Sequence, residues 1–155
     1  MARRYLLYGT ERYVIAILRP LQRAIRARGD VAAWFLDGPG RSDLGPDERL
    51  LLRVEEVKAF APAAVFTPSD TVPHFFPGAK VEVFHGFDAG KPRHVHVRGL
   101  FDLYCTTGPR DTRPFSELAD RLGHFSVRET GWPKLDPLMA KLGAGAAPPV
   151  RDPPG

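Results

Sequence analysis

Six short strand-like stretches, most of them apolar, punctuate the chain, at positions 5–8, 31–36, 63–66, 81–84, 100–105 and 125–129. The stretches at 11–28, 48–60, 111–122 and 135–142 read as helices between or after them. Short continuous apolar runs bounded by turn residues suit buried strands, and strands that alternate with helices return in the same direction. This alternation constrains the fold more than any single motif. It predicts a three-layer, mostly parallel, Rossmann-like α/β sheet with helices on both faces. In such sheets, ligands bind beyond the carboxyl ends of the strands. The rule singles out Gly9-Thr10, Ser69-Asp70, His85-Gly86, Thr106-Thr107-Gly108 and Gly131-Trp132, which all follow expected strands.

Local signals sharpen this outline. Thr10 is placed to cap the first helix, and Pro20 is expected to kink or break it. The segment 67–80 holds Pro68, Pro73, Pro77 and Gly78 and reads as irregular; 87–99 reads as a polar loop. Phe115, Leu118, Ala119 and Leu122 share one helical face. The Gly/Ala/Pro-rich residues 143–155 have no apolar period and are expected to be disordered, leaving one domain over 1–142.

With 155 residues, 43% of them hydrophobic, the chain can bury a core of its own. Its single cysteine excludes an internal disulfide and suits a reducing compartment. The net charge of +4 belongs to one end. The first 30 residues carry seven Arg against Glu11 and Asp30, a balance of +5, and the remainder sums to −1. A general nucleic-acid-binding coat is therefore not expected. Arg12, Arg19, Arg23 and Arg26 share a helical face that can attract anionic lipid or serve as the solvated side. No apolar stretch reaches the ~20 residues needed for a membrane span, and no signal peptide is evident.

His85 is the leading chemical candidate. It closes an apolar strand and precedes a glycine, and an imidazole there can take a proton from a hydroxyl near neutral pH. The alternative is a structural histidine that holds a loop carbonyl. Asp88 or Asp102 can orient its ring, or act as a solvated or capping acid. Lys91, Arg93, His94, His96 and Arg98 form a basic loop suited to a phosphate, or to solvent. His94 and His96 lack a third ligand at fitting spacing, so no metal is expected. Thr10, at the start of the first helix, can hold a phosphate through backbone N–H groups, although no GxGxxG fingerprint is present. Lys134 can face a substrate.

Three segments then recur in a familiar order: Val83-Phe84-His85-Gly86, Phe101 to Thr106, and Thr130-Gly131-Trp132-Pro133-Lys134-Leu135-Asp136. Together they resemble the N-terminal half of the catalytic region of CDP-glycerol glycerophosphotransferases, the teichoic-acid primases and polymerases. Ile17-Leu18-Arg19-Pro20-Leu21 and the segment from Val72 to Gly78 suit a bacterial subgroup of that family. The resemblance spans roughly residues 3–142.

It implies one half of a two-domain GT-B fold, on the acceptor side. It also implies transfer of glycerol phosphate from CDP-glycerol to a hydroxyl of a lipid-linked or polymer acceptor at the cytoplasmic membrane face. No cofactor is implied. His85 would be the general base, and Thr10, Lys91, Arg93, Thr106, Thr107, Gly131 and Lys134 are candidate phosphate or substrate contacts. The family's His-Gly-Thr-Pro stands here as His85-Gly86-Phe87-Asp88. The sequence resembles only the first α/β half, so a second half, in cis or in trans, is the expected partner and this half alone is expected to be inactive. Phe75, Phe76, Phe87 and Trp132 are expected to be exposed where that partner would pack. The competing readings are another GT-B glycosyltransferase, a UDP-GlcNAc 2-epimerase-like protein, and a non-catalytic binding module.

Overall fold

The computed structural model describes residues 1–84, 86, 97 and 100–143. Each expected strand forms: β1 (Arg4–Gly9), β2 (Val31–Leu36), β3 (Ala64–Thr67), β4 (Ala79–Val83), β5 (Leu103–Thr106) and β6 (Ser126–Glu129). The helices are α1 (Val14–Ala27), α2 (Val54–Phe60), α3 (Pro109–Leu122) and α4 (Asp136–Lys141). The six strands form one sheet in the order β2-β1-β3-β4-β5-β6, and every pair is parallel.

Alternation along the strands sorts the side chains onto two faces. Leu7, Ala32, Trp34, Leu36, Val81 and Val83 pack with Val14, Ile17, Leu18 and Ile25 of α1. Leu6, Tyr8, Ala33, Phe35 and Val65 point the other way, onto Val57 and Phe60 of α2. On that same face Tyr104, flanked by Leu103 and Cys105 facing α1, packs with Phe84, Phe101, Phe125 and Phe115 of α3. The result is the three-layer α/β architecture. A short 3₁₀ turn at Pro133–Leu135 brings the chain back against α1 before α4.

Two local expectations are corrected, and the break expected at Pro20 does not occur. The helix expected over 48–60 begins only at Val54, because the residues before it cover the edge of the sheet. Trp34 donates its N–H to the Arg49 carbonyl at 2.8 Å, and Leu51 donates to the Trp34 carbonyl at 2.8 Å. β2 is an edge strand, and these bonds satisfy backbone groups that a helix at 48–53 would leave open. α1 starts at Val14 rather than near Thr10, with Tyr13 at its N-cap and no side-chain cap. Pro20 neither ends nor divides α1. The carbonyl that Pro20 deprives of an amide belongs to Ala16, an exposed residue that water can reach.

Candidate functional site at the carboxyl edge of the sheet

The strand order reverses between β1 and β3, so the chain leaves these neighbours toward opposite faces. The crevice this opens is the expected ligand position in such a sheet. Its β1 wall is tightly fitted. A Cβ on Gly9 would overlap the Val14 side chain, and one on Gly38 (φ +154°) would strike the Thr10 carbonyl. Asp37 donates its N–H to the Gly9 carbonyl at 2.9 Å. Thr10 is half-buried in this wall. On the β3 side, the Ser69 N–H is held by Thr67 Oγ1 at 3.1 Å. Tyr13 reaches across. Burial first, then the neighbouring Glu11 and Asp70 carboxylates, push its phenol above the ordinary tyrosine range. Tyr13 was not among the residues expected here; a helix beginning near Thr10 would not have set it at the helix start.

The end of β5 is occupied by the protein's own groups. Thr106 is fully buried, and its hydroxyl lies 2.7 Å from that of Thr112. Thr112 donates to Glu129 Oε2 at 2.7 Å. Thr107 donates to Asp111 Oδ2 at 2.5 Å, with Asp111 buried in the first turn of α3. The expected phosphate roles of Thr106 and Thr107 do not suit this arrangement. One hydroxyl has no exposed surface, and the other already serves a carboxylate that fills the positive end of α3 and would repel a second anion.

The end of β6 is more open. Gly131 adopts φ +76°, a left-handed turn that favours glycine, and directs the chain into Trp132. Lys134 holds its ammonium 5.4 Å from the Trp132 ring centroid and is exposed. No ion pair to Lys134 occurs among the described residues, so its charge is available to a ligand. Beneath this edge, burial drives the Cys105 thiol up to about 11, against the opposing hydrogen bond from Thr130. A neutral, buried thiol is a packing group rather than a nucleophile.

His85, Asp88, Lys91 and Arg93, with His94 and His96, lie outside the described residues, as do Phe87 and residues 144–155. Asp102 sits at the opposite edge of the sheet from the strand ends. It accepts the Lys80 N–H at 2.7 Å where β4 begins and ties β4 to β5 there, which removes it from the carboxyl-edge set. Phe75 is 50% exposed, whereas Phe76 is only 2% exposed, packed edge-on against Tyr8 and Phe35. Phe76 is thus a core residue, not an exposed one.

The basic face of α1 is also changed by its surroundings. Arg12 grips Asp43 with two bonds, Arg19 grips Glu48 with two, and Arg26 pairs with Asp47. These arginines, seven residues apart, brace α1 and the turn that leads into it against the acidic loop before α2. Their charge is therefore largely spent, which weakens the expected attraction to anionic lipid. Among the described residues no helix is long and apolar enough to cross a membrane, and no group of three or more His, Cys, Asp or Glu is arranged to hold a metal ion.

Comparison with known proteins returned no matching family model, no matching curated protein and no matching solved structure.

Proposed function

We propose that this chain is the acceptor-side α/β half of a CDP-glycerol glycerophosphotransferase-like enzyme of cell-envelope biosynthesis, acting at the cytoplasmic face of the membrane. One observation supports the reading above others. Two of the segments that carry the resemblance begin at the carboxyl ends of β4 and β6, and the third, Phe101 to Thr106, forms the strand β5 between them in a single parallel sheet. Segments far apart in sequence thus occupy three neighbouring strands, and two of them start at the edge where such folds bind ligands.

In this reading His85 takes the proton of an acceptor hydroxyl. The oxygen attacks the glycerol-bearing phosphorus of CDP-glycerol, an O–P bond forms, and the bond to CMP breaks with its electron pair leaving on CMP. Lys134 offers positive charge near the developing phosphoryl charge. Most donor contacts come from a second α/β half, the partner this reading requires.

The test is a titration followed by amide NMR. A glycerol-phosphate-terminated acceptor fragment is expected to shift resonances at Thr10, Tyr13, Gly131 and Trp132. UDP-GlcNAc is expected to leave them in place. Shifts with the nucleotide sugar and none with the acceptor would overturn the reading.

A further inference from the structure

At the amino edge of the sheet, opposite the site above, two arginines converge on one aromatic ring. Arg4 begins β1 and shares the face of Leu6 and Tyr8; Arg49 is brought there by the bridge between Leu50 and Trp34. Their guanidinium carbons lie 5.8 Å and 5.1 Å from the centroid of the Phe60 ring. Beside them is a cavity of about 350 Å³ lined by Arg4, Arg49, Leu51, Glu56, Ala59 and Phe60.

The charge balance of this cavity is unusual for the molecule. Arg12, Arg19 and Arg26 each have a carboxylate of their own, but neither Arg4 nor Arg49 forms an ion pair among the described residues. The one acid in the lining, Glu56, is already engaged. It accepts the Leu52 N–H at 2.7 Å and pairs with Arg53 Nε at 3.1 Å, and these bonds hold its carboxyl below the usual range. Two like charges held near one ring repel each other, and the ring face offsets only part of that cost. An oxyanion between the two planar forks would relieve it with paired charge-assisted hydrogen bonds. The volume is that of a small-ligand pocket.

We infer that the Arg4–Arg49–Phe60 pocket is a binding site for a phosphoryl group. The group can be carried by a soluble phosphate or by a phospholipid headgroup, and the experiment separates the two. In one arm, pyrophosphate is titrated into the isotopically labelled chain. In the other, the chain is co-sedimented with phosphatidylcholine vesicles that do or do not contain phosphatidylglycerol. Both arms are run with wild type, Arg4→Gln, Arg49→Gln and the charge-conserving Arg49→Lys. Both arginines are exposed, and an unchanged amide spectrum away from the pocket checks that each variant folds.

The expected result with pyrophosphate is a set of shifts confined to Arg4, Leu51, Ala59 and Phe60. Binding should weaken at least about tenfold in each Gln variant and less in Arg49→Lys. Binding only to the phosphatidylglycerol vesicles, reduced in both Gln variants, would support the same site with a lipid headgroup as its ligand. Binding in neither arm, or binding that Arg4→Gln and Arg49→Gln leave intact, would overturn the inference.

Discussion

Arg19 and Glu48 face each other in a two-point ion pair, with Nε to Oε1 at 3.0 Å and Nη2 to Oε2 at 2.7 Å. The pair joins the middle of α1 to the loop that precedes α2. Arg19 also donates to the Asp43 carbonyl at 2.9 Å, and Glu48 accepts the Gly45 N–H at 2.8 Å. With its amide oriented to satisfy both ends, Gln22 donates to Glu48 at 2.6 Å and accepts from Trp34 Nε1 at 2.9 Å. The Glu48 side chain is only 7% exposed, so it is the hub of this network.

Glu48→Gln should therefore destabilise the chain by about 2 kcal/mol, because it leaves a partly buried guanidinium without its counter-charge. Burial tends to raise the Glu48 carboxyl, but Arg19 and the Gly45 N–H outweigh it and the net shift is downward. Arg12 lowers Asp43 and Arg26 lowers Asp47 in the same way, chiefly by hydrogen bonding. Groups lowered on folding add stability that is full above their unfolded range and lost as pH falls through their folded values. Thermal melts of wild type should therefore lose stability between about pH 5 and pH 3, with a shallower loss in Glu48→Gln. Parallel pH profiles for the two proteins would contradict this.

Thr112→Val should cost about 1–2 kcal/mol in urea unfolding, since it leaves the buried Thr106 hydroxyl only its longer bond to the Arg128 carbonyl at 3.3 Å and frees Glu129. Thr106→Val should cost less, because Thr112 keeps its bond to Glu129. Equal losses would show that the chain of bonds does not run in that order.

Cys105 should react very slowly with a thiol reagent at pH 8 in the native protein and fully after unfolding. Burial holds its thiol at about 11, so thiolate is scarce as well as hidden. Rapid native labelling would contradict the packing of β5.

If the proposed function holds, catalysis should appear only when a second α/β half supplies the donor contacts. In such a pairing His85→Ala is expected to lower turnover by about 10²–10⁴-fold while changing donor KM little, since in the proposed reading the base acts on the acceptor. The acid-side limb of the wild-type pH profile should vanish with the imidazole. Near-normal turnover with an unchanged pH profile would remove histidine from the mechanism.

Most strand positions were legible in the sequence because the central strands are buried on both faces, and burial of that kind writes itself as an apolar run; β6, Ser126–Glu129, is largely exposed and has no such run. Val31–Leu36 matches its run residue for residue. The three-layer class followed from the alternation of those runs with helices. The position of every decisive polar group was set by the tertiary structure. Whether residues 48–53 coil or extend depended on an open edge at Trp34, which no local propensity encodes. Thr10 lost its capping role because α1 starts at Val14. Asp102 and the α1 arginines carry the same charges wherever the chain takes them. Asp102 became a clasp at the amino edge, and Arg12, Arg19 and Arg26 became braces, because long-range folding delivered Lys80, Asp43, Glu48 and Asp47 to them. Apolar burial depends on a residue's own side chain and its neighbours along the chain, so sequence reports it. A hydrogen bond or ion pair depends on two groups meeting at about 3 Å, and across tens of residues only the folded sheet brings them together.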